Sequence, residues 1–162
     1  MKFAFLLCLT LSVASCGINK QRISLNDYFI HPTGKNLNSK QLHAFIFENN
    51  LKNIPFQDYI ATKYNTKNQI NKSIQITTND IALTLIFYDF DDFEKHFGSQ
   101  NFEQKTVETA SEKIGNTNKF LAISVLSQTG EDCLDPNSLL QTIAIKYLNS
   151  LKNQYLSNNG QQ

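Results

Sequence analysis

The chain lacks an excess of either charge: 15 basic and 14 acidic side chains in 162 residues leave a net charge of +1. That balance excludes a broad basic surface for nucleic acid or anionic lipid headgroups. The six glycines are scattered, so no phosphate-cradling loop can be drawn. No His-Glu-x-x-His, no paired histidines at metal spacing and no Gly-x-Ser-x-Gly occur, which removes the common zinc and serine-hydrolase signatures and implies no cofactor. Tryptophan is absent while Asn, Lys and Ile are abundant, a bias that reads as the base composition of an AT-rich gene. Nor is there an apolar run of the roughly 20 residues that a transmembrane helix needs.

What the chain does have is a short apolar run at its start. Lys2 supplies a positive charge, Phe3 to Val13 are uncharged, and Val13-Ala14-Ser15-Cys16 closes the run with small residues before a cysteine. This pattern resembles the signal peptide and lipobox of bacterial lipoprotein precursors. The resemblance implies removal of residues 1–15 and lipidation of Cys16, with a diacylglyceryl group on sulfur and an acyl chain on the new amine. Each buried methylene contributes about 0.8 kcal/mol, and two or three chains make such an anchor durable. Gly17 is not the aspartate associated with inner-membrane retention, and no acidic run of the surface-export kind follows. By that analogy the protein sits in the outer membrane, facing the periplasm.

Without residues 1–15 the chain is formally neutral, with 14 charges of each sign, and long enough for one domain with a real core. Cys8 leaves with the signal and Cys16 takes the lipid, so Cys133 has no disulfide partner within the chain. It lies in Glu131-Asp132-Cys133-Leu134-Asp135, where carboxylates disfavour a thiolate, and is expected to be structural. Residues 16–26 read as a lipidated N-terminus and short polar tether, and 27–162 as a single globular domain.

The hydrophobic pattern predicts a mixed α+β domain. Leu25 to Ile30 reads as a short extended segment ended by the turn His31-Pro32-Thr33-Gly34. A helix capped by Ser39 is expected to about Lys52, with Leu42, Phe45, Ile46 and Leu51 on one face, and a second from Pro55 carries Phe56, Tyr59, Ile60 and Tyr64. Residues 70–78 and 81–88 read as a β-hairpin about Asn79-Asp80, the second strand covered on both faces. A short helix capped by Asp91 or Asp92 runs to Phe97, Phe102 to Ile114 reads as another helix, and Phe120 to Ser127 as a buried strand. A right-handed crossover would set the last strand parallel to 81–88, in a three- to four-stranded mixed sheet. A long C-terminal helix begins at Asp135-Pro136, with Leu140, Ile143, Ala144, Tyr147, Leu148, Leu151 and Tyr155 inward and Lys146 and Lys152 on its polar face.

The most suggestive chemical cluster is Asp89-Phe90-Asp91-Asp92-Phe93-Glu94, at a strand-to-helix junction. Leu85-Ile86-Phe87-Tyr88-Asp89-Phe90-Asp91 resembles the first motif of haloacid-dehalogenase-type phosphatases, an apolar strand followed by Asp-x-Asp. There Asp89 would be the nucleophile and Asp91 the general acid, with Mg²⁺ alongside; the likeness covers only these residues. Asp89, Asp91, Asp92 and His96 are the candidate metal ligands, against the simpler account of helix capping beside a solvated acidic edge. No catalytic set is otherwise legible. The expectation is a non-enzymatic binding or accessory domain held to the membrane through Cys16, such as an immunity factor or a subunit of an envelope complex. The alternative is a small envelope hydrolase or metal-binding protein using the aspartates.

Overall fold

A computed structural model of the chain describes residues 22–49, 55–66, 72–103 and 119–158. The lipobox, Cys16, Leu51 and residues 104–118 lie outside the described residues, so the expectations placed on them stand apart from the fold.

The architecture is α+β, organised around a five-stranded sheet. Its strands are β2 (Phe29–His31), β5 (Ala44–Glu48), β6 (Ser73–Thr78), β7 (Ile81–Phe87) and β9 (Phe120–Ser127), in the order β2-β5-β9-β7-β6. Two further pairs flank it: β1 (Ile23–Ser24) runs parallel to β8 (Phe102–Glu103), and β3 (Asn36–Leu37) forms a small hairpin with β4 (Lys40–Gln41). The helices are α1 (Phe56–Lys63), α2 (Phe90–His96) and α3 (Gln141–Asn158).

Both faces of the central strands are covered. On one face Phe45, Phe47, Leu121, Ile123, Val125, Leu83 and Leu85 meet Phe56 and Ile60 of α1 and Ala144, Leu148, Leu151 and Tyr155 of α3. The Phe56 ring packs edge-on against Tyr155, 4.9 Å between centroids, and touches Phe47 and Phe87 in the same way. On the other face Ala44, Ile46, Phe120 and Ala122 meet Phe93 of α2 and Phe97 just after it, together with Leu25 and Phe102. Of the stripe expected for α3, Ala144, Leu148, Leu151 and Tyr155 are buried and Leu140 and Tyr147 are half-buried against them, whereas Ile143 lies outside this core and Ile145 and Leu156 pack on it instead.

Several expectations are corrected. The segment expected as a helix from Ser39 is a strand: Phe45-Ile46-Phe47 satisfies a helical spacing only because every position is apolar, and a run covered on both faces suits a strand equally well. Ser39, with φ +66°, sits with Asn38 at the tip of the β3–β4 hairpin rather than at a helix N-cap. The sheet is antiparallel throughout, because β9 pairs with β7 antiparallel, Phe87 beside Ile123. The excursion after β7 therefore returns to the end of the sheet it left, with Phe93, Phe97 and Phe102 seated on Phe120 and Ala122. Phe102–Glu103 is the strand β8, not a helix start.

Smaller corrections concern ends and exposure. The folded part starts before residue 27, since Ile23 and Ser24 pair with β8 and Leu25 is buried. On β7 one face is buried, but Ala82 is exposed and Thr84 and Ile86 are half-buried. Asp135 and Pro136 precede α3 in a turn, where Asp135 Oδ1 accepts the Asn137 N–H at 2.8 Å. Lys152 is buried and ion-paired with Asp27, its ammonium 6.0 Å from the Tyr28 ring centre.

The hairpin tip offers a test, because glycine tolerates a left-handed φ that costs other residues about 1–2 kcal/mol. Ser39→Gly is expected to match or exceed the wild type in urea unfolding, and Ser39→Val to fall about 1 kcal/mol or more below it. A loss of about 1 kcal/mol in Ser39→Gly with Ser39→Val unchanged would contradict the hairpin.

Candidate functional site

The acidic cluster lies where β7 gives way to α2. Asp89 is the N-cap of α2: its Oδ1 accepts the Asp92 N–H at 2.8 Å, so the cap is Asp89 and not Asp91 or Asp92. Two lysines from distant segments close on the same carboxylates. Lys72 Nζ lies 2.8 Å from Asp89 Oδ2 and 3.0 Å from Asp92 Oδ2, and Lys35 Nζ lies 2.8 Å from Asp92 Oδ2. Lys35 Nζ also donates to the Phe87 carbonyl at 3.2 Å and stands 4.9 Å from the centre of the Tyr88 ring.

The electrostatics follow from this pairing. Burial opposes ionisation of Asp92, yet the hydrogen bonds and charges of Lys35 and Lys72 outweigh it and hold the carboxyl at about 2. Asp89 is held low by Lys72 and by the Asp92 N–H, and Lys72 is raised by the same two carboxylates, Asp89 first. Asp91 is exposed. His96, one turn beyond Asp92, is lowered chiefly by burial and then by Lys95, and its ring lies edge-on to Tyr88 at 6.0 Å. Among the described residues no three His, Cys, Asp or Glu side chains gather as a metal site. The cluster therefore behaves as a helix cap and a lysine-bridged junction between β6, α2 and the loop after β2.

A second polar constellation, unread in the sequence, runs beneath the β3–β4 hairpin. Ser124, the fully buried hydroxyl on β9, donates to the His43 carbonyl at 2.6 Å. With that proton committed, the Tyr88 hydroxyl donates to Ser124 Oγ at 2.8 Å and accepts the Lys35 N–H at 2.7 Å. Burial raises the Tyr88 pKa despite these bonds. His43 in turn gives both its N–H and Nδ1 to Asp132 Oδ2, at 2.7 and 2.8 Å, while Asp132 Oδ1 accepts the Leu134 N–H at 3.0 Å. Gly34 sits over the chain: a Cβ there would come within 2.4 Å of the Tyr88 oxygen and 2.6 Å of the Leu42 carbonyl oxygen.

This constellation holds a serine, a histidine and an aspartate, but not a nucleophilic relay. Ser124 Oγ bonds the backbone carbonyl of His43, its hydroxyl is buried, and its proton has no path to the imidazole in this geometry. The network ties four chain segments together instead. Its legible sign was a serine inside the apolar run Phe120-Leu121-Ala122-Ile123-Ser124-Val125, since a buried hydroxyl needs partners. Cys133 is likewise structural: buried, and raised to about 12 by burial and then by Glu131 and Asp132.

Comparison with protein-family models, with curated proteins and with solved structures returned no match.

Carboxylates held below their unfolded pKa stabilise the fold above that value, near 3.8, and the contribution is lost as pH falls through the folded value of about 2. Asp92→Asn is expected to lower the melting temperature at neutral pH and to flatten its decline between about pH 4 and about pH 2. Parallel melting curves for variant and wild type across that window would show that Asp92 is not held as described.

Proposed function

We propose that this protein is a lipid-anchored component of the bacterial envelope that works by binding a protein partner. An immunity factor and an accessory subunit of an envelope complex are two forms of that role. The anchor rests on Val13-Ala14-Ser15-Cys16 after its apolar run, and no described helix is long and apolar enough to cross a membrane.

The observation that favours binding over catalysis is how the reactive groups are used. Asp89 and Asp92 are bridged by Lys35 and Lys72, Ser124 and Tyr88 are buried in a hydrogen-bond chain, and the Cys133 thiol is buried and raised. Beside the exposed Asp91 and Lys72, the surface near this junction also carries two apolar side chains. Leu37 on β3 and Phe90 at the start of α2 are 42% and 56% exposed, each two residues from a member of the Lys35–Asp92 pair. An aromatic and an aliphatic side chain left exposed on either side of a fixed ion pair support a small docking point there. The alternative, a hydrolase or metal-binding site at Asp89, Asp91 and Asp92, would have to displace two lysines first.

Two measurements test this role. Cys16→Ser should move the protein from the detergent-extracted membrane fraction to the soluble one, and continued membrane retention would argue against lipidation. Affinity capture from solubilised membranes should enrich a partner with the wild type and lose it with Leu37→Ser/Phe90→Ser; a partner set indifferent to those changes would sink the patch. A rise in melting temperature with millimolar Ca²⁺ or Mg²⁺ would favour the metal alternative, because only a ligand of the folded state stabilises it.

A further inference from the structure

The five-stranded sheet ends in two unlike edges. β2 is three residues long, whereas β6 presents six residues, Ser73-Ile74-Gln75-Ile76-Thr77-Thr78, on a side where no described strand pairs with it. Edge strands are normally protected by charge, proline, bulges or shortness. β6 has no charge and no proline, and it pairs with β7 in unbroken register from Ser73–Ile86 to Thr78–Ile81. The nearest cation, Lys72, is turned back onto Asp89 and Asp92 of its own chain.

Which backbone groups face outward follows from the turn. Asn79 and Asp80 have φ of +48° and +61°, the left-handed pair that a two-residue hairpin of the I′ kind requires. The closing pair Thr78–Ile81 then exchanges hydrogen bonds, and pairs alternate from there. The Phe87 N–H donating to the Lys72 carbonyl at 2.8 Å has the phase this predicts. Ile74, Ile76 and Thr78 therefore bond inward to β7, and Ser73, Gln75 and Thr77 direct N–H and C=O outward, where no described residue bonds them.

We propose that β6 is a homodimer edge: a second copy of this chain adds its own β6 antiparallel about a two-fold axis at Gln75, joining two sheets into one. The sequence is self-complementary in this register. Ser73 faces Thr77 of the second copy, Gln75 faces Gln75, and all three outward residues of each strand are satisfied. Ile74 then lies beside Ile76 of the other copy, apolar on apolar, and half-buried Ile74 gains cover. No like charges meet within the strand, and Lys72 faces an uncharged Thr78. An isologous contact of this kind closes at two copies and leaves no new edge at the junction.

The register makes the test specific, since opposed residues in a hydrogen-bonded antiparallel pair have Cα atoms about 5.5 Å apart, within disulfide range. In the full chain, in membranes under mild oxidation, Gln75→Cys should give a dimer on a non-reducing gel. Ser73→Cys alone should not, and Ser73→Cys co-expressed with Thr77→Cys should. Failure of Gln75→Cys to cross-link at a melting temperature equal to wild type overturns the proposal, as does equal cross-linking by all three single variants. Light scattering of the wild-type chain in detergent gives an independent reading. Twice the chain mass is expected, reduced to one by Thr77→Pro, whose lost N–H serves only the outer edge; a wild-type chain of single mass overturns the dimer.

Discussion

Eight consecutive residues of β9, Phe120–Ser127, are buried, and most of the architecture exists to make that possible. A strand with both faces apolar must find two separate covers. α1 and α3 supply one, with Phe56 and Tyr155 meeting over the sheet. The other is assembled from short pieces: α2, Leu25 next to the β1–β8 pair, and the loop that carries the β3–β4 hairpin. Ser124 is the exception inside β9, and its need for partners draws Tyr88 and the His43 carbonyl into one chain of bonds. A buried hydroxyl left unbonded would cost about 1–3 kcal/mol, so the hairpin loop is held in place by the strand it covers.

The charged groups follow the same logic of mutual constraint. Lys35, from the loop after β2, and Lys72, just before β6, meet at Asp92, while Asp89 caps the helix. Lys72 is largely exposed, so its bond contributes little by itself. The half-buried Lys35–Asp92 pair does more, because Lys35 also holds the Phe87 carbonyl and, through its backbone N–H, the Tyr88 hydroxyl. The acidic junction and the buried serine chain are thus one structure, joined at Lys35. Of the Asp-x-Asp that resembles a phosphatase motif, Asp89 is thereby engaged in the fold together with Asp92, while Asp91 stays exposed.

How much of this was written in the sequence depends on the range of the interaction. The hairpin about Asn79-Asp80, the buried strand 120–127, the helix after Pro55 and the inward stripe of the last helix rest on local signals, and they were legible. Phe45-Ile46-Phe47 misled because a run apolar at every position carries no period, and only the sheet decides that it is extended. The antiparallel return of β9 depends on Phe93, Phe97 and Phe102 seating at one end of the sheet, a non-local fact. The aspartates were visible as a cluster, but their lysines lie 57 and 20 positions before Asp92, and sequence spacing cannot bring Lys35 to its partner. Ser124 alone announced the second network, by being polar where nothing else was.

The start of the fold bears on how the anchored protein would work. With β1 beginning at Ile23, the polar segment left between Cys16 and the folded part is only a few residues, a reach of about 20–25 Å when extended. On the proposed lipidation of Cys16, a domain held that closely would sweep a shallow layer above the bilayer and would meet partners embedded in or resting on the same membrane. The β1–β8 pair adds a directional constraint, since it places the start of the described chain on the α2 side of the sheet, where Leu25 and Phe102 are buried. Leu37 and Phe90 flank the Lys35–Asp92 junction that joins the hairpin loop to α2, two elements of that same cover. On the proposed anchoring, the lipidated end and the exposed apolar side chains would connect to the fold through the same cover, and a short tether would then limit which partners are within reach.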